Sequence, residues 1–188
     1  SFTTHLVSSS GTDTYSTISA AVGSLKGPKH GGANIAVINM IEDIKKEVKD
    51  ITDYNEVEDY LVRVLKKEAN NKSGLVYGMG HAIYTLSDPR AKILKEMARK
   101  LAQSNAKMDD FLLCDFIETK TPELQRQMTG VEKPMCANVD LYSGFVYEAL
   151  GIPPEIATPL FATARLSGWC AHRLEELTIG KKLMRPAY

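Results

Sequence analysis

The segment Gly78-Met79-Gly80-His81-Ala82-Ile83-Tyr84, followed by Asp88-Pro89-Arg90, carries the strongest structural signal in this sequence of 188 residues. It places a histidine on a glycine turn just ahead of a helix. Asp88 is a favourable N-cap, Pro89 suits the first helical position, and the apolar residues that follow recur at helical spacing. The unpaired N–H groups of this helix start, with His81 and Arg90, predict a receptor for a carboxylate or a phosphate.

Two other segments have the same layout. Gly27-Pro28-Lys29-His30-Gly31-Gly32-Ala33-Asn34 places a histidine between glycines before an amphipathic helix. Asn138-Val139-Asp140-Leu141-Tyr142-Ser143-Gly144 places an aspartate at the start of another helix. Taken alone, Asp140 also fits a plain N-cap, and His30 also fits a turn histidine bonded to nearby backbone. Judged by the local pattern alone, these structural roles are the favoured interpretation of both residues.

Helical periodicity continues over the rest of the chain, and convincing strand alternation is missing, so we predict an all-α fold. A short extended segment is expected at Leu75-Val76-Tyr77. Thr121-Pro122-Glu123 resembles the cap and first turn of a new helix, and Thr158-Pro159 resembles another cap. The predicted helices cover 1–10, 15–25, 30–49, 55–68, 88–104, 109–119, a segment from 121 onward, 140–150 and 158–177. Asp13 is predicted to cap the second of these helices, and Gly180 to end the last.

Composition excludes several classes of protein. Lys and Arg number 23 and Asp and Glu number 23, so no net charge attracts nucleic acid or an anionic membrane. A hydrophobic content of 44% and a charged content of 24% are typical of a globular protein. The longest apolar runs are far shorter than the roughly 20 residues of a membrane span. Ser1-Phe2-Thr3-Thr4 lacks the features of a signal peptide. We therefore expect no nucleic-acid partner and no membrane partner.

The three cysteines are widely separated, with no Cys-x-x-Cys spacing. Cys114, Cys136 and Cys170 are an odd number, which fits free thiols in a reducing compartment and argues against a structural zinc site built on cysteine. The sequence predicts no metal site. His5 and His172 match no catalytic pattern, and packing or solvent exposure is the role expected of them.

The three segments, in this order, resemble the citrate synthase family. Two further stretches near the C-terminus, Ala164-Arg165-Leu166-Ser167-Gly168-Trp169-Cys170-Ala171-His172 and Met184-Arg185-Pro186, continue the family pattern. The resemblance implies a citrate synthase-like all-α fold, with a small helical domain over 27–145 and parts of a large helical domain over 1–26 and 146–188. It also implies that a long N-terminal portion of the family's chains lies upstream of this sequence, and that elements packing on it would expose apolar faces.

The resemblance assigns three catalytic roles. Asp140 matches the family's catalytic aspartate, which removes a proton from the methyl group of acetyl-CoA. His30 matches the histidine that supports the resulting enol. His81 matches the histidine that polarises the carbonyl of oxaloacetate and acts as an acid toward the new hydroxyl group. General acid–base catalysis of a condensation requires groups of these kinds.

Further residues match binding positions of the family. Arg90 and Arg165 match arginines that hold the substrate carboxylates, and Arg185 matches one that reaches the other subunit's active site. A planar guanidinium suits a carboxylate, although surface charge is the ordinary role of an exposed arginine. The backbone segment that resembles the loop receiving the adenine of CoA includes Leu75, Val76, Tyr77, Gly78 and Gly80.

The implied activity is that of an acyltransferase of the tricarboxylic acid cycle, which condenses acetyl-CoA with oxaloacetate and hydrolyses the thioester to citrate and CoA. No permanently bound cofactor is implied, since acetyl-CoA and CoA are substrate and product. The family also implies a homodimer, in the cytoplasm or in the mitochondrial matrix of a eukaryote. Because CoA-contacting residues and one oxaloacetate-binding histidine of the family lie upstream, this chain alone is expected to have negligible activity.

Three alternatives remain at this level. A 2-methylcitrate synthase differs by one methylene in its acyl-CoA substrate, which changes discrimination by only about 1–3 kcal/mol. A non-catalytic helical interaction module could retain the fold, although His30, His81 and Asp140 together argue against it. A helix-turn-helix DNA-binding protein is disfavoured because the chain is neutral and has no basic helix.

Overall fold

The computed structural model describes residues 1–27, 31–130, 134–180 and 182–185. These residues form eight α-helices and no strand, which confirms the all-α fold. A single 3-10 turn, Pro154–Ile156, precedes the last helix. The helices are α1 (Phe2–Ser8), α2 (Thr14–Lys26), α3 (Ala33–Glu47), α4 (Tyr54–Leu65), α5 (Pro89–Ser104), α6 (Met108–Thr129), α7 (Val139–Ala149) and α8 (Ala157–Ile179).

The chain divides into two compact units. Unit 1 combines 1–32 with 155–188, and unit 2 is the continuous segment 33–154. The division predicted from the family, 1–26, 27–145 and 146–188, stays a prediction because compactness alone does not identify the family's domains.

In unit 1, α1, α2 and α8 pack against one another. Asp13 caps α2 as expected, because its carboxylate accepts the N–H of Ser16 at 2.9 Å. The small core of this unit consists of Ala21, Leu25 and Trp169.

Unit 2 contains the larger core, to which α3, α4, α5, α6 and α7 all contribute. Its largest fully buried side chains include Tyr60, Phe111 and Tyr142. Gly144 permits the close packing of α3 on α7, since a Cβ atom there would lie 2.9 Å from Cγ1 of Ile38. The side chain of Asn34 donates a hydrogen bond to Oγ of Ser143 at 2.5 Å across the same contact.

A buried polar network joins three helices of unit 2. The hydroxyl group of Tyr142 on α7 donates to Glu118 of α6 at 2.5 Å, and Lys95 of α5 donates to the same carboxylate oxygen at 2.7 Å. Burial and this carboxylate together raise the pKa of Tyr142. The tyrosine is therefore a neutral hydrogen-bond donor, and the network fixes how α7 sits against α5 and α6.

The predicted break near Pro122 is wrong, because α6 continues through this proline as one helix of 22 residues. A proline inside a helix removes one backbone hydrogen bond and costs about 3 kcal/mol. Ile117 and Leu124 are buried on either side of it, and burying two such side chains contributes about 3–6 kcal/mol. Thr121, predicted as a cap, instead donates its hydroxyl group back to the carbonyl of Ile117 at 2.6 Å.

The start of α8 also differs from the prediction. The helix begins at Ala157 after the 3-10 turn, and Thr158 does not cap it. The hydroxyl group of Thr158 donates to the carbonyl of Gly31 at 2.9 Å. This hydrogen bond ties the first turn of α8 to the segment of unit 1 that follows α2. Gly180 ends α8 as predicted.

Several large apolar side chains of unit 1 are exposed, among them Tyr15 at 86% and Leu174 at 65%. Of the described helices, none is both long and apolar enough to cross a membrane.

All three cysteines are free thiols, as expected, and Cys114 and Cys136 are buried. Burial raises the pKa of Cys114 to about 12, which keeps this thiol protonated and unreactive.

Candidate active site

An antiparallel bridge between Met79 and Ala137 brings the histidine turn to the start of α7. The N–H of Gly80 donates to the carbonyl of Cys136 at 2.7 Å, and the N–H of Asn138 donates to the carbonyl of Gly78 at 2.9 Å. An extended segment was expected at 75–77, and the structure instead has this bridge two residues later, at Met79. Backbone hydrogen bonds therefore hold together two segments that are 58 residues apart in the chain.

The side chain of Asn138 reinforces this junction in two directions. Its Nδ2 donates to the carbonyl of Gly80 at 3.0 Å, while its Oδ1 accepts the N–H of Asp140 at 2.9 Å. Asn138 is therefore the N-cap of α7, and Asp140 lies within its first turn. The alternative of Asp140 as a plain N-cap is wrong, because Asn138 already performs that function.

Gly78 and Gly80 both have positive φ angles, +85° and +87°, which side chains rarely adopt. Gly78 has a second constraint, because a Cβ atom there would lie 2.9 Å from the Cα atom of Leu141. The turn that carries His81 thus contacts the backbone of α7 directly, one residue after Asp140.

The backbone of the next residues determines the tautomer of His81. Its Nδ1 accepts the N–H groups of Ile83 and Tyr84, both at 3.0 Å. An imidazole nitrogen that accepts hydrogen bonds carries no proton, so the neutral ring holds its proton on Nε2. His81 can therefore donate from Nε2 while remaining neutral, and its ring is only 18% exposed.

Arg90 lies beside that donor and is held by Asp88. Its Nε and Nη2 lie 3.1 and 2.8 Å from the two carboxylate oxygens of Asp88, and Nη2 lies 3.3 Å from Nε2 of His81. The Asp88 side chain is fully buried, whereas that of Arg90 is 50% exposed. Two N–H donors so close together are suited to one acceptor oxygen, such as a carbonyl or a carboxylate oxygen.

The negative charge of Asp140 also acts on the guanidinium group of Arg90. The pKa of Arg90 is raised, mainly by its hydrogen bond to Asp88, and the negative charge of Asp140 acts in the same direction. Burial opposes ionisation of Asp88, but the hydrogen bonds from Arg90 outweigh it and hold the pKa of Asp88 below its usual value. Unit 2 therefore places His81 and Arg90 side by side, with Asp88 fixing the arginine, while the backbone junction described above joins their turn to the start of α7, where Asp140 lies.

Replacing Asp88 with asparagine is expected to remove a pH-dependent part of the stability. Because the pKa of Asp88 is lower when the protein is folded, its carboxylate stabilises the fold above the ordinary value of about 3.9. This stabilisation is lost as the pH falls through the lower folded-state value. Urea unfolding of Asp88→Asn at pH 7 should show a loss of about 1 kcal/mol. Equal differences from the wild type at pH 7 and pH 3 would contradict this assignment.

Two predicted substrate-binding arginines, Arg165 and Arg185, belong to unit 1. Arg165 is on α8 in unit 1, with its guanidinium carbon 5.4 Å from the ring centroid of Phe161, and it lines an open cleft of about 540 Å³ within that unit. Arg185 follows α8 and is exposed. His30 lies outside the described residues, so its catalytic role stays a prediction.

The predicted CoA-binding backbone precedes His81. Leu75 is 58% exposed and Val76 is buried, while the hydroxyl group of Tyr77 accepts a hydrogen bond from Asn71 at 2.7 Å. Gly78 and Gly80 complete the segment with the positive φ angles described above. The exposed start of this loop is accessible to a ligand, and its far end belongs to the His81 turn.

Comparison with known proteins gives this arrangement a context. The family model described as "Citrate synthase, C-terminal domain" matches residues 1–187. This chain belongs to the citrate synthase family. The three motifs that the sequence analysis singled out are therefore those of a citrate synthase family member.

Curated citrate synthases resemble the chain over almost all its residues. The citrate synthase of Synechocystis sp. is 38% identical over 185 residues, which are 98% of this chain and 42% of that protein. The citrate synthase of Haloferax volcanii is 35% identical over 98% of this chain and 44% of its own length. The chain thus spans less than half the length of these relatives.

Solved structures show the same relationship. A citrate synthase of Thermoplasma acidophilum, solved as a ternary complex with carboxymethyl coenzyme A and oxaloacetate, matches with a TM-score of 0.75 and 31% identity. That match covers all of this chain and 46% of the other. The citrate synthase of Thermotoga maritima matches with the same TM-score and 34% identity, again over 46% of its chain.

Two features of this family member were not predicted from the sequence. Asp88 was identified as a helix cap, and its ion pair with Arg90 was missed, although an Asp-x-Arg spacing at a helix start is a usable signal. His5 and His172, expected to serve packing or to face solvent, form a hydrogen bond of 2.9 Å with each other. They are 167 residues apart, and no local pattern pairs them.

Proposed function

We propose that this chain supplies the catalytic residues of a citrate synthase, an acyltransferase that condenses acetyl-CoA with oxaloacetate and hydrolyses the product thioester to citrate and CoA. The observation that carries the proposal is the junction of two segments in a citrate synthase family member: the turn that places His81 beside Arg90, and the start of α7, which carries Asp140. The solved relative bound to carboxymethyl coenzyme A and oxaloacetate supports this choice of substrates.

In the proposed first step, Asp140 removes a proton from the methyl group of the acetyl thioester. The electron pair of that C–H bond forms the enolate, and His30 donates a hydrogen bond to its oxygen. Asn138 occupies the cap of α7 and Asp140 lies in the first turn, one residue before Leu141, whose backbone contacts the turn that carries His81.

In the second step, the enol carbon attacks the ketone carbon of oxaloacetate and a carbon–carbon bond forms. The carbonyl oxygen gains the proton of His81 Nε2 and becomes the hydroxyl group of the product. Because Nδ1 accepts two backbone N–H groups, the donor needed for this step is already on Nε2. Water then cleaves the thioester, which releases the CoA thiol.

The remaining assignments complete the proposal. Arg90, Arg165 and Arg185 bind substrate carboxylates, with Arg185 acting in the other subunit of a homodimer. The backbone of 75–80 receives the adenine of CoA, and no permanently bound cofactor takes part in the condensation. We place the enzyme in the tricarboxylic acid cycle and in the cytoplasm, or in the mitochondrial matrix if the source is eukaryotic. The 27–145 segment is proposed as the small domain.

The test is the release of CoA thiol from acetyl-CoA with and without oxaloacetate. We expect oxaloacetate-dependent release from the protein at its full natural length, and negligible release from the 188-residue chain alone. The chain alone is the matched control, because it spans less than half the length of its curated relatives.

A parallel measurement with propionyl-CoA separates the related activity. Faster release from propionyl-CoA than from acetyl-CoA would indicate a 2-methylcitrate synthase instead. Absence of oxaloacetate-dependent release with either substrate would contradict the enzyme proposal and indicate a non-catalytic helical module.

A further inference from the structure

Unit 1 contains a second cluster of chemically versatile side chains, separate from the residues assigned to condensation. His5 lies on α1, and His172 and Glu175 lie three residues apart on α8, so the latter two share a helix face. The distances are 2.9 Å between His5 Nε2 and His172 Nδ1, 3.5 Å from His172 Nδ1 to Glu175 Oε2, and 3.6 Å from His5 Nε2 to the same oxygen. Three ligand atoms of metal-binding type thus form a triangle with one side of 2.9 Å and two longer sides of 3.5 and 3.6 Å.

We propose that His5, His172 and Glu175 bind one Zn²⁺ ion. Tetrahedral zinc has bonds of about 2.0–2.1 Å to nitrogen and oxygen, which place its ligand atoms about 3.3 Å apart. The three measured distances lie on either side of this value. Two imidazoles and one carboxylate are a recognised zinc ligand set, and they leave a fourth position for water.

The surroundings of His5 support the proposal independently. Its other ring nitrogen, Nδ1, lies 3.0 Å from Oε2 of Glu176, a residue that is only 9% exposed. A zinc-bound histidine usually donates its second N–H to a carboxylate, which orients the ring and directs the other lone pair at the metal. Glu176 is therefore a positioning residue. Because its carboxylate accepts the proton on Nδ1 of His5, the lone pair of His5 Nε2 is directed at the ion.

The fold also reserves space for the Glu176 carboxylate. A Cβ atom at position 180 would overlap Oε1 of Glu176, so Gly180 is needed beside it. The negative charges of Glu175 and Glu176 together balance the two positive charges of the ion. Both the ligand geometry and the charge of this cluster are therefore suited to a divalent cation.

Without an ion, the two histidines share a hydrogen bond. Since His5 Nδ1 donates to Glu176, His5 Nε2 is the acceptor and His172 donates from Nδ1. Zinc replaces the proton between the rings, His172 carries its own proton on Nε2 instead, and the two nitrogens move apart by about 0.4 Å. The change is small because α1 and α8 already hold the rings in place.

The choice of Zn²⁺ follows from donor type and access. Imidazole nitrogen favours zinc and its neighbours in the first transition row, whereas Ca²⁺ and Mg²⁺ prefer all-oxygen sites. The side chains of His172 and Glu175 are 35% and 53% exposed, so an ion can enter from solvent. Once bound, it links the first helix of unit 1 to its last helix.

The experiment is a titration with Co²⁺, followed by displacement with Zn²⁺, of the chelator-treated protein at its full natural length. We expect one equivalent of Co²⁺ to give the intense visible absorption of tetrahedral coordination, and Zn²⁺ to abolish it. His172→Ala should lose this absorption, and Glu175→Gln and Glu176→Gln should each weaken binding by about 10–100-fold. Zn²⁺ should also raise the unfolding temperature of the wild type and not that of His172→Ala.

Matched controls come from unit 2. His81→Ala removes a histidine and Glu123→Gln a partly exposed glutamate, and both should bind Co²⁺ as the wild type does. The proposal fails if the wild type binds no stoichiometric Co²⁺ in tetrahedral form, or if Glu175→Gln binds as tightly as Glu123→Gln. Should His172→Ala lose its helical circular dichroism, the half-exposed Glu175→Gln variant decides the question.

Discussion

Replacing Asp140 with asparagine is expected to lower kcat of the protein at its full natural length by about 10²–10⁴-fold, the usual contribution of a general base. The amide has the shape of the carboxylate but cannot take the methyl proton. The N-cap bond of α7 is made by the backbone N–H of Asp140 with Asn138, so the substitution leaves it intact. We therefore expect normal helical circular dichroism together with a near-total loss of CoA release.

Asp109 provides a matched control for this variant. It is the second residue of α6, as Asp140 is the second residue of α7, and it is exposed. Asp109→Asn should therefore reproduce any effect of losing a negative charge from a helix start without affecting turnover. If Asp140→Asn retained the turnover of Asp109→Asn, Asp140 would not be the base of the condensation.

Replacing Gly78 with alanine is expected to lower the free energy of unfolding by about 2–4 kcal/mol. A positive φ angle costs an alanine about 1 kcal/mol, and forcing a Cβ atom against the backbone at Leu141 adds about 1–3 kcal/mol. The turn must then move away from α7, which separates His81 from Asp140. Urea unfolding and the CoA-release assay, applied to the same variant, should both detect this change.

A variant at Gly80 distinguishes the cost of the positive φ angle from the cost of the contact with Leu141. Its φ angle is almost the same as that of Gly78, but a Cβ atom there would meet nothing within 4 Å. Gly80→Ala should therefore show only the cost of the backbone conformation, about 1 kcal/mol. Equal losses of stability in the two variants would mean that the contact with Leu141 contributes nothing.

The sequence was sufficient to predict those features of the structure that depend only on residues close together in the chain. The caps at Asp13 and Asp88 were predicted from local chemistry alone, and both accept the backbone N–H bonds expected of them. The resemblance to citrate synthase singled out His81, Arg90 and Asp140, and unit 2 contains all three, although their catalytic roles stay predictions. Local rules failed at Pro122, because burial of Ile117 and Leu124 outweighs the cost of a proline inside a helix.

Features that depend on distant residues could not be predicted. The Met79–Ala137 bridge has too few residues to produce strand alternation, and its partners are far apart in the chain. The tautomer of His81 depends on the orientation of the backbone N–H groups of Ile83 and Tyr84, which no residue type encodes. The His5–His172 contact joins the two ends of unit 1, so only the folded chain reveals it.

The composition of unit 1 from two separate stretches, 1–32 and 155–188, has a consequence for biosynthesis. On the ribosome, 33–154 emerges between these stretches, so unit 2 can complete its core while α1 and α2 still lack α8. Trp169 must emerge before Ala21 and Leu25 can be covered, and closing so long a loop is entropically unfavourable and slow. During translation, the faces of α1 and α2 that pack against α8 therefore stay uncovered until α8 emerges, which makes them binding sites for a chaperone.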